Sequence, residues 1–100
     1  MKNFYVTYTF NSKEDRENFI KDVQSMAKAS REEKGCVRYD YFYPVDSETE
    51  VFLFEQWEND EDQERHTKTA HFAKIGHIKE KYKATTKIVT SKTTSKEEKK

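Results

Sequence analysis

The chain has 100 residues, 38% of them charged and 14% aromatic, and its 19 basic and 19 acidic side chains give a formal net charge of zero. This length suits one domain with a thin core, and the lack of a basic excess argues against nucleic-acid binding. The aromatic content argues against a disordered chain, and no apolar run approaches the roughly 20 residues that cross a membrane.

The number of cysteines indicates the redox state of the cellular compartment. The single cysteine, Cys36, cannot form an internal disulfide. Such usage is typical of a reducing compartment, so we expect a cytoplasmic protein. The chain starts directly with an alternating, strand-like pattern, so no signal peptide is expected.

The first thirty residues predict a strand followed by a helix. Residues 3–10 alternate between aromatic or β-branched side chains on two faces, which predicts a strand. Asn11 or Ser12 can then cap a helix over about residues 13–30. From Phe19 onward, apolar residues recur at i, i+4 and i+7, which gives this helix one apolar stripe.

Residues 36–44 and 50–58 predict two strands joined by a short polar turn, and therefore a hairpin. In the first strand, Tyr39 lies on the face opposite to Cys36, which we interpret as a small buried hydrophobe. The second strand is apolar on both faces, which is typical of a strand covered on both sides.

The last part of the chain predicts a helical region from Asn59 or Asp60 to about Tyr82, with a break near residues 67–69, and then a strand over residues 84–91. We expect the helical region to have a buried stripe, made by Phe72, Ile75, Ile78 and Tyr82. Residues 1–90 would then form one domain. Residues 91–100 are polar and Lys-rich, and they predict a disordered tail.

The element order β-α-β-β-α-β predicts an α+β, ferredoxin-like fold, with a four-stranded antiparallel sheet and both helices on one of its faces. The other face then has no cover within the chain. Because residues 50–58 are apolar on both sides, that uncovered face would expose apolar side chains and favour association. We therefore expect a homodimer that packs through its sheet faces.

The candidate catalytic residues are His66 and His71, because imidazole exchanges protons readily near neutral pH. They flank the expected helix break. On an ideal helix their five-residue separation would place them about 140° apart, and the six residues from His71 to His77 also diverge. No pair has the i, i+4 spacing of a helical metal site, so no metal site is predicted.

Glu55 and Trp57 lie two residues apart on one strand face. If this face turns towards the helices, Trp57 can form the wall of a pocket and Glu55 can hold a hydrogen bond inside it. A carboxylate among apolar groups must be paired or have a raised pKa. The alternative is structural, with a core tryptophan and a glutamate paired to a neighbouring element.

Three motifs follow one another at characteristic spacings: E-x-G-C-x-x-Y over residues 33–39, F-x-x-W at 54–57, and H-x-x-T-x-H-F over 66–72. With them, residues 3–90 resemble the antibiotic-biosynthesis monooxygenase family, particularly its small quinol-monooxygenase-like members. The chain also lacks a dinucleotide-binding glycine motif and a nucleophile elbow. Ordinary flavin or nicotinamide chemistry therefore has no visible site in the sequence.

The resemblance implies a dimeric α/β barrel with one pocket per protomer, between sheet and helices. It implies oxidation of a small aromatic or quinol by O2 without flavin, haem or metal. His66 or His71 would accept the substrate's proton, Glu55 would hydrogen-bond the substrate, and walls would come from Trp57, Phe72 and strand tyrosines such as Tyr39.

Two other functions remain open. The chain could be a non-catalytic dimer that binds a small hydrophobic ligand or acts in stress response. Haem degradation, known from a second branch of this fold, is disfavoured. Residues 4–10, FYVTYTF, hold no counterpart of that branch's asparagine, and His66 stands about where its tryptophan would be.

Overall fold

The structure is a computed structural model that describes residues 1–94. Its elements are β1 (Lys2–Thr9), α1 (Lys13–Arg31), β2 (Cys36–Phe42), β3 (Glu50–Trp57), α2 (Asp60–His66), α3 (Ala70–Lys81) and β4 (Thr85–Lys92). The strands form one antiparallel sheet in the order β2-β3-β1-β4. The predicted ferredoxin-like fold is confirmed, with its second helical region divided into two helices.

Local capping sets where each helix begins. Ser12 accepts a hydrogen bond from the backbone N–H of Asp15 at 3.1 Å, and Asn59 accepts one from Asp62 at 2.9 Å. Thr69 begins α3 by accepting from the N–H of Phe72 at 3.2 Å. Each cap satisfies an N–H that the first helical turn leaves free. The Thr69 cap also explains the break, because it starts a new helix three residues after the previous one ends.

The core lies between the helices and one face of the sheet. Val6, Leu53 and Trp57 from the central strands pack there against Phe19 and Val23 of α1, and each of these side chains is at most 3% exposed. Every residue of β4, in contrast, is exposed. The helices therefore leave the inner face open beside β4. None of the helices in the described part of the chain has the length and apolarity needed to cross a bilayer.

The predicted orientation of Cys36 is wrong, because a β-bulge interrupts β2 beside it. The pairing of β2 with β3 shifts between Cys36 and Arg38, so Val37 is an extra residue in β2. Cys36 pairs with Trp57 and packs against the core instead of facing away from Tyr39. Burial is the largest cause that raises the pKa of the Cys36 thiol to about 11, so the thiol is protonated at neutral pH.

The structure also differs from the predicted buried stripe of the second helical region and from the predicted start of the tail. Of the predicted stripe on the second helical region, only Ile75 is buried, and Phe72 is 41% exposed because it borders the open side of the sheet. The tail was predicted to start at residue 91, but β4 continues to Lys92. Thr93 is also held, because the side chain of Asn3 donates to its hydroxyl at 2.7 Å. The rest of the predicted tail, residues 95–100, lies outside the described residues.

Within residues 1–94, no helix covers the second face of the sheet, and this face carries a group of aromatic side chains. Tyr5 and Phe54 contact one another with ring centroids 5.4 Å apart, and Phe42 and Phe52 do so at 6.1 Å. Phe42 and Val89 remain 45% and 53% exposed. This outer aromatic face is the surface on which a sheet-to-sheet partner would pack.

Candidate functional site

The loop between α1 and β2 turns at Gly35 in a left-handed backbone conformation. This residue has a φ of +85°, which favours glycine, and a Cβ at this position would overlap the carboxylate of Asp62. Its carbonyl also accepts a hydrogen bond from the N–H of Glu58 at 2.8 Å. Gly35 thus does more than end a helix: it lets the loop that carries Glu33 pass directly against α2.

We expect Gly35→Ala to destabilise the fold by about 2 kcal/mol or more. The left-handed backbone alone costs roughly 1–2 kcal/mol for a residue with a Cβ, and the overlap with Asp62 adds to it. Urea unfolding checks this value. Gly76→Ala is the matched control, because a Cβ there meets nothing within 4 Å. Equal stability of the two variants would contradict the assigned role of Gly35.

The helix break brings His66 and His71 to one carboxylate oxygen. His66 is the last residue of α2, and His71 is the second of α3. Oε2 of Glu33 lies 2.5 Å from Nδ1 of His66 and 2.7 Å from Nε2 of His71. The divergence expected on an ideal helix does not apply, because the two histidines stand on different helices.

His66 is enclosed by aromatic rings and is 1% exposed. Its ring lies 4.7 Å from that of Trp57, 5.2 Å from that of Phe72 and 5.8 Å from that of Tyr39, centroid to centroid. Burial lowers the pKa of His66, and Glu33 opposes this effect. A neutral ring that donates its Nδ1–H to Glu33 keeps an unshared electron pair on Nε2.

A cavity of about 240 Å³ lies between the inner sheet face and the helices α2 and α3, at the opening beside β4. Most of its lining is apolar, and it includes Phe4, Val6, Tyr8, Phe72, Ile75 and Ile88. His66 and Glu55 also line it, and Lys79 stands at its border with solvent. Because Glu33 engages Nδ1 of His66, Nε2 is the nitrogen left for a bound molecule.

Glu55 is the second polar group of the cavity. Its Oε1 accepts a hydrogen bond from Nε1 of Trp57 at 3.1 Å. Burial raises the pKa of Glu55 to about 7, although the Trp57 hydrogen bond acts in the opposite direction. Near neutral pH this carboxyl group can therefore donate or accept a hydrogen bond inside an apolar space.

The predicted site residues take three different positions. Glu55, His66 and Phe72 line the cavity, whereas Trp57 and Tyr39 are buried behind His66 and support its ring. His71 lies outside the lining and contacts the same Oε2 of Glu33 as His66 does. His77 is exposed on α3.

Glu33 was not selected from the sequence as a site residue. It stands 33 positions before His66 on a different element, so no local spacing connects the two. The only signal was its place at the start of the E-x-G-C-x-x-Y motif.

The fold and the cavity define a small ferredoxin-like domain with a carboxylate-held imidazole in an apolar pocket, and comparisons with known proteins agree with this class. The model of the family described as "Antibiotic biosynthesis monooxygenase" matches residues 5–77. The chain therefore belongs to the antibiotic biosynthesis monooxygenase family.

Individual relatives support the same assignment. YcnE of Bacillus subtilis (strain 168), which carries a provisional monooxygenase name, is 37% identical over 59 residues, covering 59% of this chain and 62% of its own length. A structure from Bacteroides thetaiotaomicron VPI-5482, described as a conserved protein of unknown function and possible oxidoreductase, has a TM-score of 0.82 and 29% identity, with 90% and 94% of the chains covered. The cofactor-independent oxygenase SnoaB of Streptomyces nogalater shares the fold, with a TM-score of 0.73 and 12% identity over 94% and 93% of the chains.

Proposed function

We propose that this protein is a monooxygenase that oxidises a small aromatic or quinol substrate with O2 and needs no flavin, haem or metal. The observation that carries the proposal is the imidazole of His66 at the wall of an apolar cavity, with Glu33 fixing its Nδ1. A carboxylate behind a histidine sets the tautomer and stabilises the imidazolium that forms when Nε2 accepts a proton.

In the proposed reaction, His66 takes a proton from the bound substrate at Nε2. The electron-rich anion passes an electron to O2 and combines with the reduced oxygen. One oxygen atom stays in the product and the other leaves as water, so the substrate supplies all four electrons. The apolar lining excludes water while Glu55 offers a hydrogen bond to a substrate oxygen.

The roles of the remaining predicted residues follow from where they lie. Phe72 forms the wall at the cavity mouth, and Trp57 and Tyr39 hold the His66 ring from behind. His71 donates to the same oxygen of Glu33 and positions that carboxylate, so it does not meet the substrate. SnoaB, a cofactor-independent oxygenase with the same fold, supports a reaction without a cofactor.

We also propose a homodimer through the outer aromatic face, in the cytoplasm. The partly exposed aromatic rings on a helix-free sheet face support the dimer, because a second copy would remove them from water. The single cysteine supports a compartment in which thiols stay reduced.

Phe54→Lys is expected to weaken the dimer by at least about 100-fold, because it would bring two symmetry-related positive charges into an apolar contact. Analytical ultracentrifugation would then find a mass near the 12.0 kDa of one chain. Ser25→Lys adds the same charge on an exposed position of α1 and should leave the dimer intact. A parent protein that sediments as a monomer at micromolar concentration would contradict the proposed dimer.

Oxygen consumption tests the proposed activity. Metal-stripped protein is mixed with a panel of quinols and hydroxylated aromatics while dissolved O2 and product are followed. We expect uptake that saturates with substrate and one atom of ¹⁸O from labelled O2 in the product. A folded protein that binds these compounds saturably without uptake would instead have the alternative role of a small-ligand binder.

A further inference from the structure

We propose that Glu33, His66 and His71 form a binding site for a divalent transition-metal ion of the zinc type, and that this ion inhibits the protein. One ligand atom from each residue lies within 4.8 Å of the other two, a grouping found in the described part of the chain. Two histidines and a glutamate are a ligand set that zinc uses, with a fourth position open to water.

The ligand atoms must shift by about 1 Å to accept the ion. Tetrahedral bonds of about 2.0–2.1 Å place neighbouring ligand atoms roughly 3.3 Å apart. The present separations from Oε2 of Glu33 are 2.5 Å and 2.7 Å, so the carboxylate must withdraw by less than about 1 Å. The two histidine nitrogens lie within 4.8 Å of each other, so they must approach by at most about 1.5 Å. In the metal-free protein, two hydrogen bonds hold the three ligand atoms close together. An ion would replace the two protons that lie between the histidine nitrogens and Oε2.

An entry path exists on one side of the cluster. The side chain of His66 is 2% exposed, but those of Glu33 and His71 are 14% and 21% exposed. An ion can therefore arrive from the solvent side of Glu33 and His71 without passing through the cavity. The fourth coordination position would face that solvent side.

Inhibition follows from the chemistry of the His66 ring. A metal bond to Nδ1 requires the electron pair of that nitrogen, so the ring proton must move to Nε2. Nε2 then has no electron pair with which to accept a proton from a substrate. The ion also takes the carboxylate of Glu33, which would otherwise stabilise the imidazolium. The inhibition rests on the proposed function, whereas the binding does not.

Isothermal titration of metal-stripped protein with Zn²⁺ tests the site. We expect one ion per chain, and binding that is weaker by more than about 10- to 100-fold in Glu33→Gln and in His71→Gln, because loss of a ligand should cost more than loss of a residue that only supports one. His77→Gln removes an exposed histidine of α3 outside the cluster and should bind as the parent does. Mg²⁺, which prefers oxygen ligands, should not compete.

A second measurement keeps the test valid if a variant fails to fold. In ¹⁵N-imidazole NMR spectra of the parent protein, Zn²⁺ should move the resonances of His66 and His71 and leave those of His77 in place. Equal affinity in all variants, with shifts at His77, would mean adventitious surface binding and would overturn the proposal, as would no binding.

The inhibitory part is tested separately. Zn²⁺ should abolish O2 uptake over the same concentration range in which it binds, and a chelator should restore it. Binding without any loss of uptake would overturn the inhibition. If the protein consumes no O2 with any substrate, the titration and NMR results still decide the metal site, and only the proposed reaction fails.

Discussion

Replacing His66 by Asn is expected to lower kcat/KM of the proposed oxygenation by about 10²- to 10⁴-fold, the usual contribution of a general base. The asparagine amide can reproduce the N–H of Nδ1 that Glu33 accepts, but it has nothing at the position of Nε2. The variant therefore removes the proton acceptor while it keeps the hydrogen bond behind it. Initial rates of O2 uptake across substrate concentrations measure the effect.

Two controls separate loss of the base from loss of structure. Thermal unfolding of His66→Asn shows whether the buried position tolerates the smaller side chain. His77→Asn makes the same change on the exposed face of α3 and should retain the parent rate. Full activity in a folded His66→Asn protein would show that His66 is not the proton acceptor. Glu55 would then be the remaining candidate for that role.

Glu55→Gln is expected to stabilise the protein by up to about 3 kcal/mol at pH 8 and by little at pH 4.5. In the folded protein the pKa of Glu55 is raised from 4.5 to about 7. Between these values the folded state keeps a proton that the unfolded state has released. The stabilisation from Glu55 is thus complete below pH 4.5 and is lost as the pH rises through 7.

The glutamine variant avoids this loss because it has no charge to bury, and its amide oxygen can still accept from Nε1 of Trp57. Urea unfolding at pH 4.5, 6, 7 and 8 would give the difference in free energy of unfolding between variant and parent. Glu58→Gln changes an exposed glutamate just after β3 and should show no such growth with pH. A difference for Glu55→Gln that stays constant from pH 4.5 to 8 would mean that Glu55 is not desolvated.

Much of the fold was predictable because its signals are local. Alternation in residues 3–10 predicted β1, and the caps expected at Asn11 or Ser12 and at Asn59 or Asp60 predicted where α1 and α2 begin. Local rules also led to errors. The bulge at Val37 reverses the side on which Cys36 lies, and a period of two residues cannot reveal an inserted residue.

The site was predictable only in part. Glu55, His66 and Phe72 were selected from the sequence and do line one cavity. His71 was selected for the same chemistry as His66, but it contacts Glu33 and does not line the cavity. Nothing in the spacing of the two histidines distinguishes these positions, because the helix break between them decides the direction of each ring.

The sequence by itself determined the order of the main elements, the two-sided alternation of the first strand, and the family to which the chain belongs, because these depend on local patterns and on short motifs. Only the tertiary structure decided which groups meet. Gly35 lets a loop pass against Asp62, and this brings Glu33 to two histidines more than thirty residues away. These contacts come from packing between helices and strands that are distant in the chain, and a local sequence pattern cannot predict them. It turns two separate histidines into one carboxylate-centred cluster beside an apolar cavity.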